Sequence, residues 1–65
     1  MNVTWSERVE WCELAGLSLA QIAQRCQMAY STLNDIKTGR TKEPAGMRAV
    51  LLYRLSERHR PKAAA

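Results

Sequence analysis

The chain has 65 residues, 46% hydrophobic and 25% charged, with ten Lys and Arg against six Asp and Glu for a net charge of +4. That length allows one domain, spanning 1–65, and leaves little stability for a ligand cavity on the order of several hundred Å³. No apolar run approaches the ~20 residues that cross a bilayer, and no charged-then-apolar leader is read. Two Cys and one His are too few for a disulfide scaffold or a tetrahedral zinc site. The expectation is a cytoplasmic protein without metal, cofactor or small-molecule ligand, and not an enzyme.

The distribution of charge says more than its total. Residues 1–36 hold Arg8 and Arg25 against Glu7, Glu10, Glu13 and Asp35, a net of −2. Residues 37–65 hold eight basic residues against Glu43 and Glu57, a net of +6. Such asymmetry points to a polyanion, either nucleic acid or an anionic membrane surface, against the alternative of a solvated basic tail.

Four helical segments and no strand are read along the chain. The first starts at Thr4, where Thr4-Trp5-Ser6-Glu7 fits a capping box. Trp5, Val9 and Cys12 follow at helical spacing, and Gly16 is the expected stop. Trp11 lies off that stripe, either packed on a neighbouring helix or in a partner interface. Ser18 is a good N-cap for the second segment, whose buried stripe is Leu19, Ile22, Ala23 and Cys26. After Gln27-Met28-Ala29, a third segment runs from about Tyr30 to Thr38 and ends at Gly39, with Leu33 and Ile36 inward. Ser31, Asn34, Asp35, Lys37 and Thr38 point outward. Arg40-Thr41-Lys42-Glu43 forms a polar loop, and Pro44 suits the first turn of a fourth helix over 44–58. Met47, Leu51 and Leu55 form its core line, and its wide apolar arc implies packing on two sides. Pro61 stops it, and 59–65 forms a basic, frayed tail.

Two short helices joined by a tight turn, here 18–26 and 30–38, make a helix-turn-helix pattern. Ala23 allows close approach, Leu33 and Ile36 anchor the second helix, and its polar outer face suits the donors and acceptors of the major groove. Lys37, Arg40, Lys42 and Arg48 stand where basic residues would meet phosphate.

The runs Gly16-Leu17-Ser18-Leu19-Ala20-Gln21-Ile22-Ala23 and Tyr30 through Pro44 resemble the helix-turn-helix domain of lambdoid phage Cro and repressor proteins (the Xre type). The likeness covers roughly residues 7–56. It implies a compact all-α domain, here read as four helices lacking the family's fifth helix. It also implies a homodimer on a near-palindromic operator and transcriptional repression. By position, Tyr30, Ser31 and Asn34 match the base-reading residues. Asp35 either accepts from the cytosine amine or pairs with a nearby cation. Ser18, Thr32, Lys37, Thr38, Arg40, Thr41, Lys42 and Arg48 are assigned to the DNA backbone. The chain departs from the family at Gln27, where Gly is usual and a left-handed residue would cost about 1 kcal/mol. It departs also at Leu19, in place of a DNA-contacting Gln, and at Ala29, a poor N-cap. Without a fifth helix, the dimer interface is assigned to Val50, Tyr53, Arg54 and Trp11.

The other reactive residues have plainer readings. Cys12 and Cys26 read as small buried hydrophobes, Met47 as core, and His59 as solvated or near phosphate. Arg54, Arg58, Arg60 and Lys62 are either a non-specific DNA tail or solubilising charge. Together these features point to sequence-specific binding of double-stranded DNA by a Cro-like regulator. The alternative is a helical protein-interaction module, of antitoxin or antirepressor kind, working through the fourth helix and Trp11. A third reading, a basic amphipathic helix over 44–62 lying on a membrane surface, leaves the polar third segment without a purpose.

Overall fold

A computed structural model describes residues 3–40 and 44–61. Four α-helices make up the regular structure of those residues: α1 (Trp5–Leu14), α2 (Leu19–Arg25), α3 (Tyr30–Thr38) and α4 (Gly46–Arg58). The fold class is all-α, as the sequence predicts. Thr41, Lys42 and Lys62, together with most of the expected frayed tail, lie outside the described residues. No described helix is long and apolar enough to cross a membrane.

The helix ends follow the local chemistry. Thr4 Oγ1 accepts from the Glu7 amide at 3.1 Å and starts α1. Ser18 and Gln21 close a reciprocal capping box at α2: the Gln21 amide donates to Ser18 Oγ and the Ser18 amide donates to Gln21 Oε1. Three helices then end in the same way. At Gly16 (φ 102°), Gln27 (φ 55°) and Gly39 (φ 85°) the chain turns left-handed. The next amide reaches back to a carbonyl five residues earlier: Leu17 to Cys12, Met28 to Ala23, and Arg40 to Asp35. Gln27 therefore occupies a left-handed position, where the resemblance puts a glycine, with a side chain where glycine has none.

α1 is the platform. It packs against α2, α3 and α4, while α2 packs against α3. Val9 and Cys12 from α1 meet Ile22, Ala23, Cys26, Met28, Leu33, Ile36, Leu52 and Leu55 in one core. Trp5, Leu17, Leu19 and Leu51 pack on its edge. Each residue on the predicted inward stripes of α2 and α3 is buried except Leu19, which is half-buried.

α4 keeps Leu51 and Leu55 of its predicted core line but not Met47. It begins at Gly46 rather than Pro44, which is buried just ahead of the helix. Gly46 has φ 60°, so the chain turns before it enters the helix. The inward face is Leu52, Leu55 and Ser56, and Met47, expected in the core, is 67% exposed. The reason is polar. Ser56 is buried against Arg8, and Met47, nine residues earlier, falls on the opposite side of the helix.

Replacing Gln27 by Gly relieves the left-handed strain of about 1–2 kcal/mol, offset by the greater freedom that glycine brings to the unfolded chain. Denaturant unfolding of Gln27→Gly should therefore show a net gain of about 0.5–1 kcal/mol. A loss would contradict the left-handed geometry.

Candidate nucleic-acid interface

The outer face of α3 is set by what its inner face does. Leu33 and Ile36 are buried in the core, so Ser31, Asn34 and Thr38, at helical spacing on the other side, face solvent. Tyr30 stands beside them at 55% exposure, and Gln27 is exposed just ahead of the helix. Thr38 Oγ1 donates to the Asn34 carbonyl at 3.0 Å, which holds the hydroxyl against its own helix. Ala29 provides no side-chain cap, so the first-turn amides of α3 have no side-chain acceptor. Thr32 and Asp35 are half-buried at the edges of the stripe. Among the described residues no cation lies within ion-pair distance of Asp35, so the cation-pairing alternative for it finds no partner there.

The end of α3 is held by α1 in two places. Ser6 Oγ donates to the Lys37 carbonyl at 2.7 Å, satisfying a carbonyl that the helix end leaves without an intrahelical donor. Lys37 Nζ pairs with Glu13 Oε2 at 3.0 Å. Lys37 was expected to face a phosphate, and here its ammonium is engaged by the protein's own carboxylate. Arg40 is exposed just past α3, its amide bonded to the Asp35 carbonyl.

The remaining assigned residues sit elsewhere. Ser18 is exposed, with its Oγ accepting from the Gln21 amide. Arg48 is exposed in the first turn of α4, and among the described residues it forms no ion pair with α3. Val50 (42% exposed) and Tyr53 (48%) lie on the outside of α4 together with Met47, and Arg54 is also exposed. Trp11 does not join them. It is only 7% exposed, with the guanidinium groups of Arg8 and Arg60 over its ring at 5.7 and 5.2 Å. The interface assignment for Trp11 is corrected: its ring is consumed by intramolecular stacking.

Arg8 is the residue that sequence reasoning missed. It is buried to 9% exposure, and Nη1 donates to Ser56 Oγ at 3.0 Å and to Glu57 Oε2 at 2.8 Å. Its guanidinium also lies 4.4 Å from the Tyr53 ring centroid and 5.7 Å from that of Trp5. Ser56 Oγ in turn donates to the Tyr53 carbonyl at 2.9 Å, and Arg60 adds a second contact to Glu57 at 3.1 Å. The signal was present: two Trp flank Arg8 three residues before and after it, on neighbouring positions of one helix.

Three groups shift their proton affinity. The Arg8 hydrogen bond holds the Glu57 carboxyl below the usual glutamate range; burial opposes this, and the charges of Arg60 and Arg8 reinforce it. Burial pushes the Cys12 thiol up to about 11, with the neighbouring Cys26 adding to the rise, and burial likewise raises Cys26. Both thiols are fully buried and stay protonated at neutral pH, which denies them nucleophilic character. Among the described residues no group of three His, Cys, Asp or Glu could hold a metal. No family model, curated protein or solved structure matches the chain.

Removing Arg8 leaves Ser56 without its donor, Glu57 with Arg60 alone, and the Trp5 and Tyr53 rings without their cation. Arg8→Ala should cost about 2–3 kcal/mol in denaturant unfolding. Arg8→Lys should recover less than half of that, because an ammonium lacks the planar fork and stack. Because the folded pKa of Glu57 is depressed, its stabilisation is present above about pH 4.3 and lost as pH falls through the lower folded value. The gap in melting temperature between wild type and Glu57→Gln should therefore close in acid. A gap that widens in acid would contradict the Arg8–Glu57 bond.

Proposed function

We propose that the chain binds double-stranded DNA as a transcriptional regulator, with the outer face of α3 in the major groove. The observation that carries this reading is the polar stripe of Ser31, Asn34 and Thr38 beside Tyr30. It is exposed on the second helix of a helix-turn-helix whose opposite face is fully buried. An amide or hydroxyl on a rigid helix can address base edges, and the groove admits one such helix. Asn34 suits adenine, and Arg40 at the helix end suits a phosphate. Occupancy of a promoter would then repress by excluding polymerase.

The Met47, Val50 and Tyr53 strip supports a homodimer. The three residues recur every third position along α4, exposed and with Arg54 at their side. Two copies joined there would set two α3 helices on half-sites about one helical turn apart. The same strip favours the second reading, a protein-interaction module with no affinity for DNA.

Binding to random duplex across a salt series separates the two. A dimer contacting ~6 phosphates gives a log–log slope near −5, whereas an adaptor gives little affinity at any salt. With a selected operator, Asn34→Ala should cost about 1–3 kcal/mol and relax preference at one position. Arg40→Ala should weaken all sequences alike and flatten the slope by about one. An unchanged preference for Asn34→Ala would overturn the docking of α3. Val50→Glu should leave a monomer in sedimentation, and a wild type that is already monomeric on DNA would overturn the α4 interface.

A further inference from the structure

Lys37 is the first basic residue of the strongly cationic half of the chain, and it lies in the last turn of α3, next to the proposed reading face. Its backbone is pinned by Ser6, while its ammonium reaches Glu13 on α1. The two ends of the residue are thus differently constrained. The carbonyl belongs to a part-buried bond, but the Lys37 side chain is 40% exposed and the Glu13 side chain 28%. An ion pair so open to water is worth little, so the ammonium can leave without moving either helix.

We propose that Glu13 is an intramolecular competitor for Lys37, a carboxylate that lowers the protein's affinity for any phosphate backbone. It does so by occupying the cation that would neutralise a phosphate beside α3. This rests on the DNA-binding reading and adds to it a positioning residue on a helix that itself faces away from the groove. In the unbound protein the pair cancels locally, and Asp35 adds a negative charge on the same helix. The region therefore presents less positive charge than the sequence total suggests, with exposed Arg40 as the residual cation at the end of α3. Non-specific binding depends almost wholly on such backbone contacts, whereas base reading by Ser31 and Asn34 does not. Glu13 thereby weakens binding to wrong sequences at least as strongly as binding to the right one, and the fraction of affinity owed to base contacts rises.

The test uses the full chain, a random-sequence duplex and a salt series. Glu13→Gln should tighten binding about two- to fivefold at low salt, the range set by an exposed ion pair. It should also steepen the log–log salt slope by about one per protomer, since one more phosphate is neutralised. Lys37→Gln should weaken binding less in the wild-type background than in the Glu13→Gln background, where it should abolish the gain, which makes the two positions coupled. Glu10→Gln is the control: it removes an exposed carboxylate from the same helix without freeing Lys37, and should leave the slope unchanged. Thermal melting of each variant shows that it is folded. A wild type that ignores duplex DNA at every salt overturns the DNA-binding reading and the competitor with it. A wild type that binds, with Glu13→Gln unchanged or matched by Glu10→Gln, overturns the competitor alone.

Discussion

A guanidinium withdrawn from water must be met on every side, and Arg8 is met by five other residues. Ser56 and Glu57 accept its hydrogen bonds, and the rings of Trp5, Trp11 and Tyr53 lie against it. An isolated buried charge would cost several kcal/mol. Here the cost is offset by charge-assisted bonds and ring faces, in an assembly whose described buried polar side chains all have partners. The arrangement works only at one rotation of α4, because Ser56, Glu57 and Tyr53 must all face α1. Arg8 therefore sets which residues of α4 are inside and leaves Met47 and Val50 outside.

That choice explains the division of labour in the fold. α1 spends one flank on α4 through Arg8, another on the core through Val9 and Cys12, and its two ends on α3 through Ser6 and Glu13. α2 closes the remaining side of α3. Once these contacts are made, the Ser31, Asn34 and Thr38 face stays exposed, with the Thr38 hydroxyl bonded to its own helix. A polar stripe with rigid backing that stands open to solvent is what a surface for an external ligand requires.

Much of this was legible in the sequence. The caps at Thr4 and Ser18, the stops at Gly16 and Gly39, and the inward stripes of α2 and α3 all rest on local rules, and local rules decide helix ends and short amphipathic helices. Gln27 in the left-handed turn was legible only because the resemblance supplied a glycine to compare it with. What stayed hidden depended on contacts far apart in the chain. In sequence Arg8 is one charge of an acidic half, since nothing nearby announces Ser56 and Glu57 as its acceptors. Hydrophobic spacing puts Met47 in the core, because spacing alone cannot tell which of two apolar faces of α4 a polar network selects. Lys37 reads as a phosphate contact because its partner Glu13 lies on another helix. In each case a long-range polar contact overrode a correct local pattern.

The central claim is that α1 holds α3 so that its outer face alone is left to meet DNA. Amide chemical shifts followed by NMR during titration with duplex DNA test it directly. The account predicts that the largest changes fall on Tyr30, Ser31, Asn34 and Arg40, with the buried Arg8 and Leu52 unmoved. Changes concentrated on Met47, Val50 and Tyr53, with α3 silent, would contradict it.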